Sequence, residues 1–244
     1  MKDDLLRWYA TDGRDLPWRH TRDPYAVLVS EVMLQQTQVA RVLERWPAWL
    51  ERWPHAAALA AARPADVLRE WVGLGYNRRA LRLREACAVV ARDGWPEDLQ
   101  ALPGVGPYTA AALRAFAFDE PVVPVDTNVR RVFSRTRGEM TGPPELGHAL
   151  MDLGATICTA RAPRCDVCPL TTCPSRGHVA PPAPPERAAV RFEDSARFVR
   201  GRVVAALAAG EGLPDFPPER LEPALAGLLA DGLVVRDGAT VRLP

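Results

Sequence analysis

The feature that most constrains the fold is the spacing of apolar residues between Asp4 and Gly154. Apolar side chains recur at steps of three and four, and proline or glycine separates one such segment from the next. The alternating pattern of a half-buried strand is absent from this region. We therefore predict an all-α fold, with helices at about residues 65–72, 79–92, 108–118, 127–136 and 145–154. One further helical stripe consists of Leu28, Val32, Val39, Leu43, Trp46 and Leu50.

The composition changes after Cys173. Residues 178–186, HVAPPAPPE, are rich in proline, which predicts a stiff linker. Two helical patterns follow, and then two short β-prone runs on either side of Asp237-Gly238, which is a hairpin signal. Helices followed by a hairpin predict a small winged-helix-like module at residues 187–244.

Four of the five cysteines lie close together, with the spacing Cys158-x6-Cys165-x2-Cys168-x4-Cys173. In an intracellular chain such clustering indicates a metal site before it indicates disulfides. Structural zinc sites usually have two close pairs of ligands, and the first gap is too wide for such a pair. A [4Fe–4S] cluster, which four thiolates also hold, suits the spacing better. The fifth, Cys87, is expected to be a small core residue.

The charge and the lack of long apolar runs narrow the function further. The net charge is only +1, so a polyanion would have to be bound by local patches or by backbone amides. No run resembles a signal peptide or a membrane span, so we expect a cytoplasmic protein associated with the nucleoid. Lys2 is the only lysine, and the other thirty of the 31 basic residues are arginine.

Two carboxylates stand out by their surroundings. Glu31 lies in LVSEVMLQQTQV, where Val27 and Leu34 share its helix face, and an apolar environment raises the pKa of a carboxyl group as a general acid requires. Asp126 lies where an extended segment meets a helix, so it is either a helix N-cap or a functional anion. Two carboxylates in unlike environments are what cleavage of a glycosidic bond needs.

The segment LPGVGPYTA, residues 102–110, predicts a tight turn before a helix. Gly104 and Gly106 permit the turn, and a helix beginning near Tyr108 would present unpaired amides to a phosphate. A G-x-G turn alone usually means only a connection between helices.

Seven motifs in order carry a family resemblance. They are LPWR, DPYAVLVSEVMLQQTQV, GLGY, LPGVGPYTA, VDTNVRRV, ALMDLGATIC and the four cysteines. Over residues 4–176 the chain resembles the helix-hairpin-helix DNA glycosylases with an iron–sulfur cluster, and most of all the MutY-type enzymes, which remove adenine mispaired with guanine or 8-oxoguanine. The resemblance implies a six-helix barrel domain at residues 22–126 and a cluster domain formed by residues 1–21 and 127–177. The chain departs from many of these enzymes in having only about sixty residues after the linker, so we expect a short form without the large C-terminal domain that recognises 8-oxoguanine.

The resemblance also implies residue roles. Glu31 would protonate the flipped adenine and handle the water, Asp126 would stabilise the sugar cation, Tyr108 would support that step, and Asn128 would help to position the nucleophile. The implied adenine and DNA contacts are Arg14, Arg19, Gln36, Thr37, Leu74, Tyr76, Gly104, Gly106 and His148. The implied cofactor is a [4Fe–4S] cluster on Cys158, Cys165, Cys168 and Cys173. The implied partner is double-stranded DNA with a mismatch or a damaged base, bound by a monomer that associates with no membrane.

Lysine scarcity indicates a monofunctional enzyme. Related enzymes that also nick the strand carry a lysine where this chain has Tyr108, and a Schiff base needs an amine. Two alternatives stay open: a thymine or uracil mismatch glycosylase, and a non-catalytic iron–sulfur protein that binds DNA. The presence of both Glu31 and Asp126 argues against the second, because a pure binder needs no buried acid.

Overall fold

The computed structural model of the protein describes residues 1–179, 191–238 and 240–244. These ranges contain eleven α-helices and one antiparallel pair of strands. The helices are α1 (Lys2–Asp12), α2 (Pro24–Leu34), α3 (Val39–Arg52), α4 (Ala56–Ala61), α5 (Pro64–Trp71), α6 (Arg78–Asp93), α7 (Pro107–Phe116), α8 (Thr127–Thr136), α9 (Pro144–Thr156), α10 (Ala196–Ala208) and α11 (Pro218–Ala230). The strands are β1 (Val235–Asp237) and β2 (Thr240–Arg242).

The helical prediction for the first 154 residues is confirmed, since α5 to α9 lie at the predicted positions. The helix α4 was not predicted because its sequence, AAALAA, has no polar face to mark a period. None of the helices in the described ranges combines the length and the apolar character that a bilayer crossing needs.

The single stripe predicted from Leu28 to Leu50 is wrong, because the chain leaves the helical path between α2 and α3. Gln36 in this break has a φ of 53°, and the helical period restarts with a new phase after it. Leu43 is consequently 38% exposed. The buried face of α3 consists of Val42, Trp46 and Trp49.

The chain divides into two compact units. The first comprises the described parts of Met1–Leu28 and Val105–Glu186, and the second those of Val29–Gly104 and Arg187–Pro244. The first unit has a core in which α1 and α8 pack against α9. The core residues include Leu5, Val129, Val132, Leu146, Leu150 and Leu153, all fully buried. The domain boundaries at residues 22–126, 1–21 and 127–177 stay a prediction.

The second unit has tryptophans at the centre of its core. The ring centroid of Trp49 lies 4.6 Å from that of Trp53 and 5.3 Å from that of Trp71, and both pairs are edge-to-face. This arrangement suits the aromatic quadrupole and buries three large side chains. The core therefore fixes the end of α5, from which the next loop departs.

The C-terminal part of the second unit consists of α10, α11 and the hairpin, so the predicted order of helices and hairpin is confirmed. Asp237 pairs with Thr240 across the turn, and Gly238 has a φ of 58°, which explains the Asp-Gly signal. The helix α10 contacts both α11 and α5. Of the predicted linker 178–186, only residues 178 and 179 belong to the described ranges, and residues 180–186 lie outside them.

Candidate functional site

Glu31 is buried on α2, as the sequence predicts. Glu31 is only 6% exposed, and its chain neighbours Ser30 and Val32 are 1% and 5% exposed. Glu31 is the only charged residue of α2, PYAVLVSEVML. Such a group loses much of the hydration that would favour its ionised form.

The break after α2 presents Gln36 on the surface. The residue is exposed and adopts left-handed backbone geometry, which is uncommon for a side chain other than glycine. The neighbouring Thr37 donates its hydroxyl to the carbonyl of Leu74, at 3.2 Å, so this break is tied to the loop that follows α5. This hydrogen bond joins the segment after α2 to the loop after α5, and the two segments form one surface of the second unit.

The loop after α5 carries the GLGY motif. Tyr76 is 39% exposed and has a φ of 49°, whereas Leu74 is 4% exposed and packs inward. Leu74 therefore supports the loop, and Tyr76 is the residue of the pair that faces outward. Gln36 and Tyr76 are both left-handed, and strained backbone of this kind is retained where the surrounding structure fixes it.

Arg79, on the first turn of α6, provides that fixation. Its guanidinium donates hydrogen bonds of 2.6 to 3.1 Å to five carbonyl oxygens. These belong to Val32, Met33, Gln35, Leu74 and Gly75. Three of them are carbonyls at the end of α2 that have no partner within the helix. No carboxylate of the described residues forms an ion pair with Arg79, and burial lowers the pKa of its guanidinium to about 10.

The hairpin segment uses its two glycines differently. Gly104 has a φ of 79°, and a Cβ there would lie 3.0 Å from the Cβ of Arg82, so this position needs glycine on two counts. Gly106 has a φ of −93° and precedes α7 as its N-cap residue. Tyr108 is half-buried in the first turn of α7.

Asp126 begins α8 in the first unit. Its Oδ1 accepts the backbone N–H of Val129 at 2.7 Å, so the N-cap role considered for it is confirmed. Its Oδ2 accepts the side-chain amide of Asn128 at 3.0 Å. The carboxylate is thus held at both oxygens, and it keeps lone pairs to face a positive charge.

Asn128 is held as firmly as the carboxylate that it contacts. Its Oδ1 accepts a hydrogen bond from Arg131 at 2.7 Å, and the same guanidinium nitrogen also donates to the carbonyl of Gly154 at 2.6 Å. A Cβ at Gly154 would lie 2.7 Å from the Cβ of Asn128, so α8 and α9 approach closely because glycine occupies this position.

Arg14 and Arg19 both bind one buried carboxylate, that of Asp152 on α9. Arg19 donates to its two oxygens at 2.8 and 2.7 Å, and Arg14 donates through Nε and its backbone N–H at 2.8 Å each. Burial alone would raise the pKa of Asp152, but the hydrogen bonds from Arg19 and Arg14 hold it below its usual value. Asp152 was not singled out from the sequence, although it lies in the quoted motif ALMDLGATIC.

His148 lies on α9 one turn before Asp152. Its ring stacks on Phe116, with centroids 3.8 Å apart, and it also faces Tyr9 at 6.4 Å. Burial, with a smaller contribution from the charge of Arg19, lowers the pKa of His148 to about 3, so the imidazole is neutral at pH 7. Its Nδ1 is buried and has no hydrogen-bond partner among the described residues. The ring is therefore part of an aromatic wall and does not simply face solvent.

Cys158, Cys165, Cys168 and Cys173 line one cavity in the first unit. Arg135 extends from α8 to this cavity, where it donates to the Sγ of Cys158 at 3.3 Å and to the carbonyl of Thr159 at 2.7 Å. Across the described ranges, no three His, Cys, Asp or Glu side chains are grouped tightly enough for a single metal ion. The four thiols that line this cavity are the ligand set that an iron–sulfur cluster would require, and the arginine would stabilise negative charge on sulfur.

Comparisons with known proteins agree on one family. Residues 29–153 match the family described as "HhH-GPD superfamily base excision DNA repair protein". The "Adenine DNA glycosylase" of Mycobacterium tuberculosis is 45% identical, over 96% of this chain and 90% of that protein. The chain belongs to the adenine DNA glycosylase family of the HhH-GPD superfamily.

Solved structures place the family fold on this chain as well. The "structure of a thermostable thymine-DNA glycosylase" has a TM-score of 0.63 at 30% identity, covering 68% of this chain and 90% of that one. A trapped endonuclease III–DNA covalent intermediate has a TM-score of 0.59 at 24% identity, covering 70% and 91% of the two chains, and supports the fold alone. The predicted family and the predicted helix-hairpin-helix glycosylase fold are both confirmed.

Proposed function

We propose that the protein is a monofunctional DNA glycosylase of base excision repair, which hydrolyses the N-glycosidic bond of adenine opposite guanine or 8-oxoguanine. The observation that carries this proposal is the 45% identity with the adenine DNA glycosylase of M. tuberculosis over nearly the whole chain. Its substrate would be double-stranded DNA in the nucleoid, bound by a monomer. The target base has to leave the duplex, because no catalytic acid can reach it inside the stack.

In the proposed reaction the bond between the sugar C1′ and the adenine nitrogen breaks and water adds across it. Glu31, which is buried on α2, gives a proton to the departing base. The Asp126 carboxylate stabilises the cationic sugar, and water then bonds to C1′ while its proton passes to the Glu31 carboxylate, which regains its acid form. Asn128 fixes the Asp126 carboxylate through the 3.0 Å hydrogen bond and so acts as a positioning residue.

Exposed Gln36 and Tyr76 would contact the duplex, with Thr37, Leu74 and Arg79 supporting their loops. Gly104 and Gly106 would bring the start of α7 and its free amides to a phosphate. In the first unit, the ion pairs with Asp152 would orient Arg14 and Arg19, while neutral His148 would offer Nδ1 as an acceptor or donor to the extruded base.

Cys158, Cys165, Cys168 and Cys173 would hold a [4Fe–4S] cluster, which would act as a structural link in the first unit. The purified protein should contain iron and sulfide in equal amounts and no zinc. Cys168→Ser should lower the iron content, whereas the control Cys87→Ala should leave it unchanged, because Cys87 lies in the core of the second unit. Zinc bound to the wild-type protein would contradict this assignment.

The decisive experiment measures base release from duplexes carrying A:8-oxoG, A:G, T:G and U:G. We expect release from the two adenine duplexes only, and Glu31→Gln should abolish it while duplex affinity stays nearly constant. The control Glu44→Gln changes an exposed residue of α3 and should release adenine normally. Release confined to T:G and U:G would support the thymine glycosylase alternative, which the structural neighbour at 30% identity suggests. Release that survives Glu31→Gln would contradict the mechanism.

Asp126→Asn removes the negative charge but keeps the helix cap of α8, because asparagine caps a helix about as well as aspartate. Base release should fall by about 100-fold or more, as for loss of a preorganised electrostatic group, with little change in thermal stability. A monofunctional mechanism further predicts no covalent complex on borohydride treatment, since Lys2 is the only lysine.

A further inference from the structure

The second unit contains a cavity of about 810 Å³ that includes Gln36 and Tyr76 and extends to residues without a role in the proposed reaction. The loop after α5 and the start of α6 form one side, and α10 with the end of α11 forms the other. The volume is within the range that accommodates a nucleotide-sized ligand. Besides Arg79, its basic lining residues are Arg41, Arg78, Arg82, Arg197, Arg200 and Arg202.

The charge of this groove is strongly one-sided. Asp231 is the single carboxylate among its lining residues, and it is already paired with Arg78, at 3.0 Å, and with Arg200. Arg82 and Arg202 are exposed, and within the described ranges neither forms an ion pair or a hydrogen bond. A chain with a net charge of only +1 has thus gathered seven of its arginines in one groove. Such a local field complements a polyanion.

Arg197, on α10, contacts the loop that carries Tyr76. The Arg197 guanidinium lies 5.1 Å from the ring centroid of Tyr76 and 4.9 Å from that of Phe192, and it also donates a hydrogen bond to the Tyr76 hydroxyl. The C-terminal segment is therefore attached directly to a residue proposed to contact the duplex. The sugar-phosphate backbone of a duplex that contacts Tyr76 would therefore extend into the groove.

We propose that the C-terminal segment, through α10, is part of the DNA-binding surface, and that Arg82 and Arg202 each bind a phosphate of the backbone. The inference rests on the proposed function, because the ligand is the same duplex. It assigns a role to α10 beyond packing against α5.

The test is the salt dependence of duplex affinity, measured by fluorescence anisotropy in a potassium chloride series with an A:8-oxoG duplex. Each lost phosphate contact lowers the slope of log affinity against log salt by about 0.9. Arg82→Ala and Arg202→Ala should each lower it by that amount, and the double variant by about twice as much. Arg202→Lys keeps the charge and should restore the slope. The matched control, Arg236→Ala, removes an exposed arginine of the same segment outside the groove and should leave the slope unchanged.

Unchanged slopes in both alanine variants, or an equal loss in the Arg236→Ala control, would overturn the proposal. A loss that Arg202→Lys fails to restore would also overturn it, because the effect would then not come from charge. Adenine release by the wild-type protein is followed on the same duplex. If adenine is not released, the proposed function is refuted. The slopes of log affinity against log salt test the groove independently of that result.

Discussion

Arg19 in the first unit and Arg79 in the second are both largely buried, yet their charges are balanced in different ways. Arg19 is 7% exposed in its side chain and lies on the carboxylate of Asp152. Burial alone would lower the pKa of Arg19, but Asp152 raises it above its usual value. Arg79 donates to five carbonyl oxygens and to the Thr37 hydroxyl, and burial lowers its pKa to about 10. Arg19 therefore has a carboxylate partner, whereas Arg79 keeps its positive charge beside two exposed loops without one among the described residues.

The difference indicates two uses of the same side chain. Asp152 binds both Arg19 and Arg14, so it links two parts of the first unit and offsets one of the two positive charges. Arg79 links the end of α2 to the loop after α5 and has no carboxylate partner among the described residues. It also lies on the first turn of α6, where the helix dipole disfavours a cation. A residue kept against a local preference of this kind indicates a functional demand.

The largest expected effect tests the pair of Arg19 and Asp152. Asp152→Asn leaves Arg19 buried without a counter-charge, so the free energy of unfolding should fall by about 3–5 kcal/mol. Urea denaturation at pH 7 measures it. The control Asp93→Asn breaks the surface pair with Arg92, which is 71% exposed, and should change stability little. Equal effects of the two substitutions would show that Arg19 is hydrated in the folded protein.

The next effect tests the arginine without a carboxylate. Lysine at position 79 has three donors on one nitrogen and cannot reach five carbonyl oxygens, so we expect Arg79→Lys to cost about 2 kcal/mol of stability. Duplex affinity should fall as well, because the loops of Gln36 and Tyr76 lose their common support. Arg84→Lys, on the same helix, replaces an arginine that donates to the carbonyl of Ala62 and serves as the control. Similar results for the two variants would refute the role given to Arg79.

The same comparison shows what the sequence could reveal. The helices α5 to α9 and the Asp-Gly hairpin follow from neighbours a few residues apart and were predicted, and the cap of α8 was one of the two alternatives for Asp126. The partners of Arg19 and Arg79 lie 133 and up to 47 positions away, so no local pattern indicates them. In the sequence, Arg79 is one of several arginines close together, with Arg78, Arg82 and Arg84. Its position on the first turn of a helix was the only local sign of its role.

The break between α2 and α3 was not predicted from the sequence, for a related reason. Left-handed geometry is ordinarily marked by glycine, and Gln36 gives no such mark. The geometry is imposed by Arg79 and Thr37, whose hydrogen bonds fix the carbonyls around it. The candidate site could therefore be recognised by residue type, whereas the supports of its loops required the fold.

The smallest expected effect concerns His148, beside the pair of Arg19 and Asp152. Its pKa is about 3 when folded and near 6.5 when unfolded, so between these values the unfolded state binds more protons and stability falls as pH falls. The slope due to this ring is at most about 1.4 kcal/mol per pH unit. His148→Phe keeps the stack on Phe116 and should flatten the stability profile between pH 6.5 and 5. The control His20→Gln, at an exposed position, should not. Equal slopes in wild type and His148→Phe would mean that the folded ring takes up a proton as readily as the unfolded one. The wall of the first unit would then be open to water, and a neutral imidazole could not be assumed to face the extruded base.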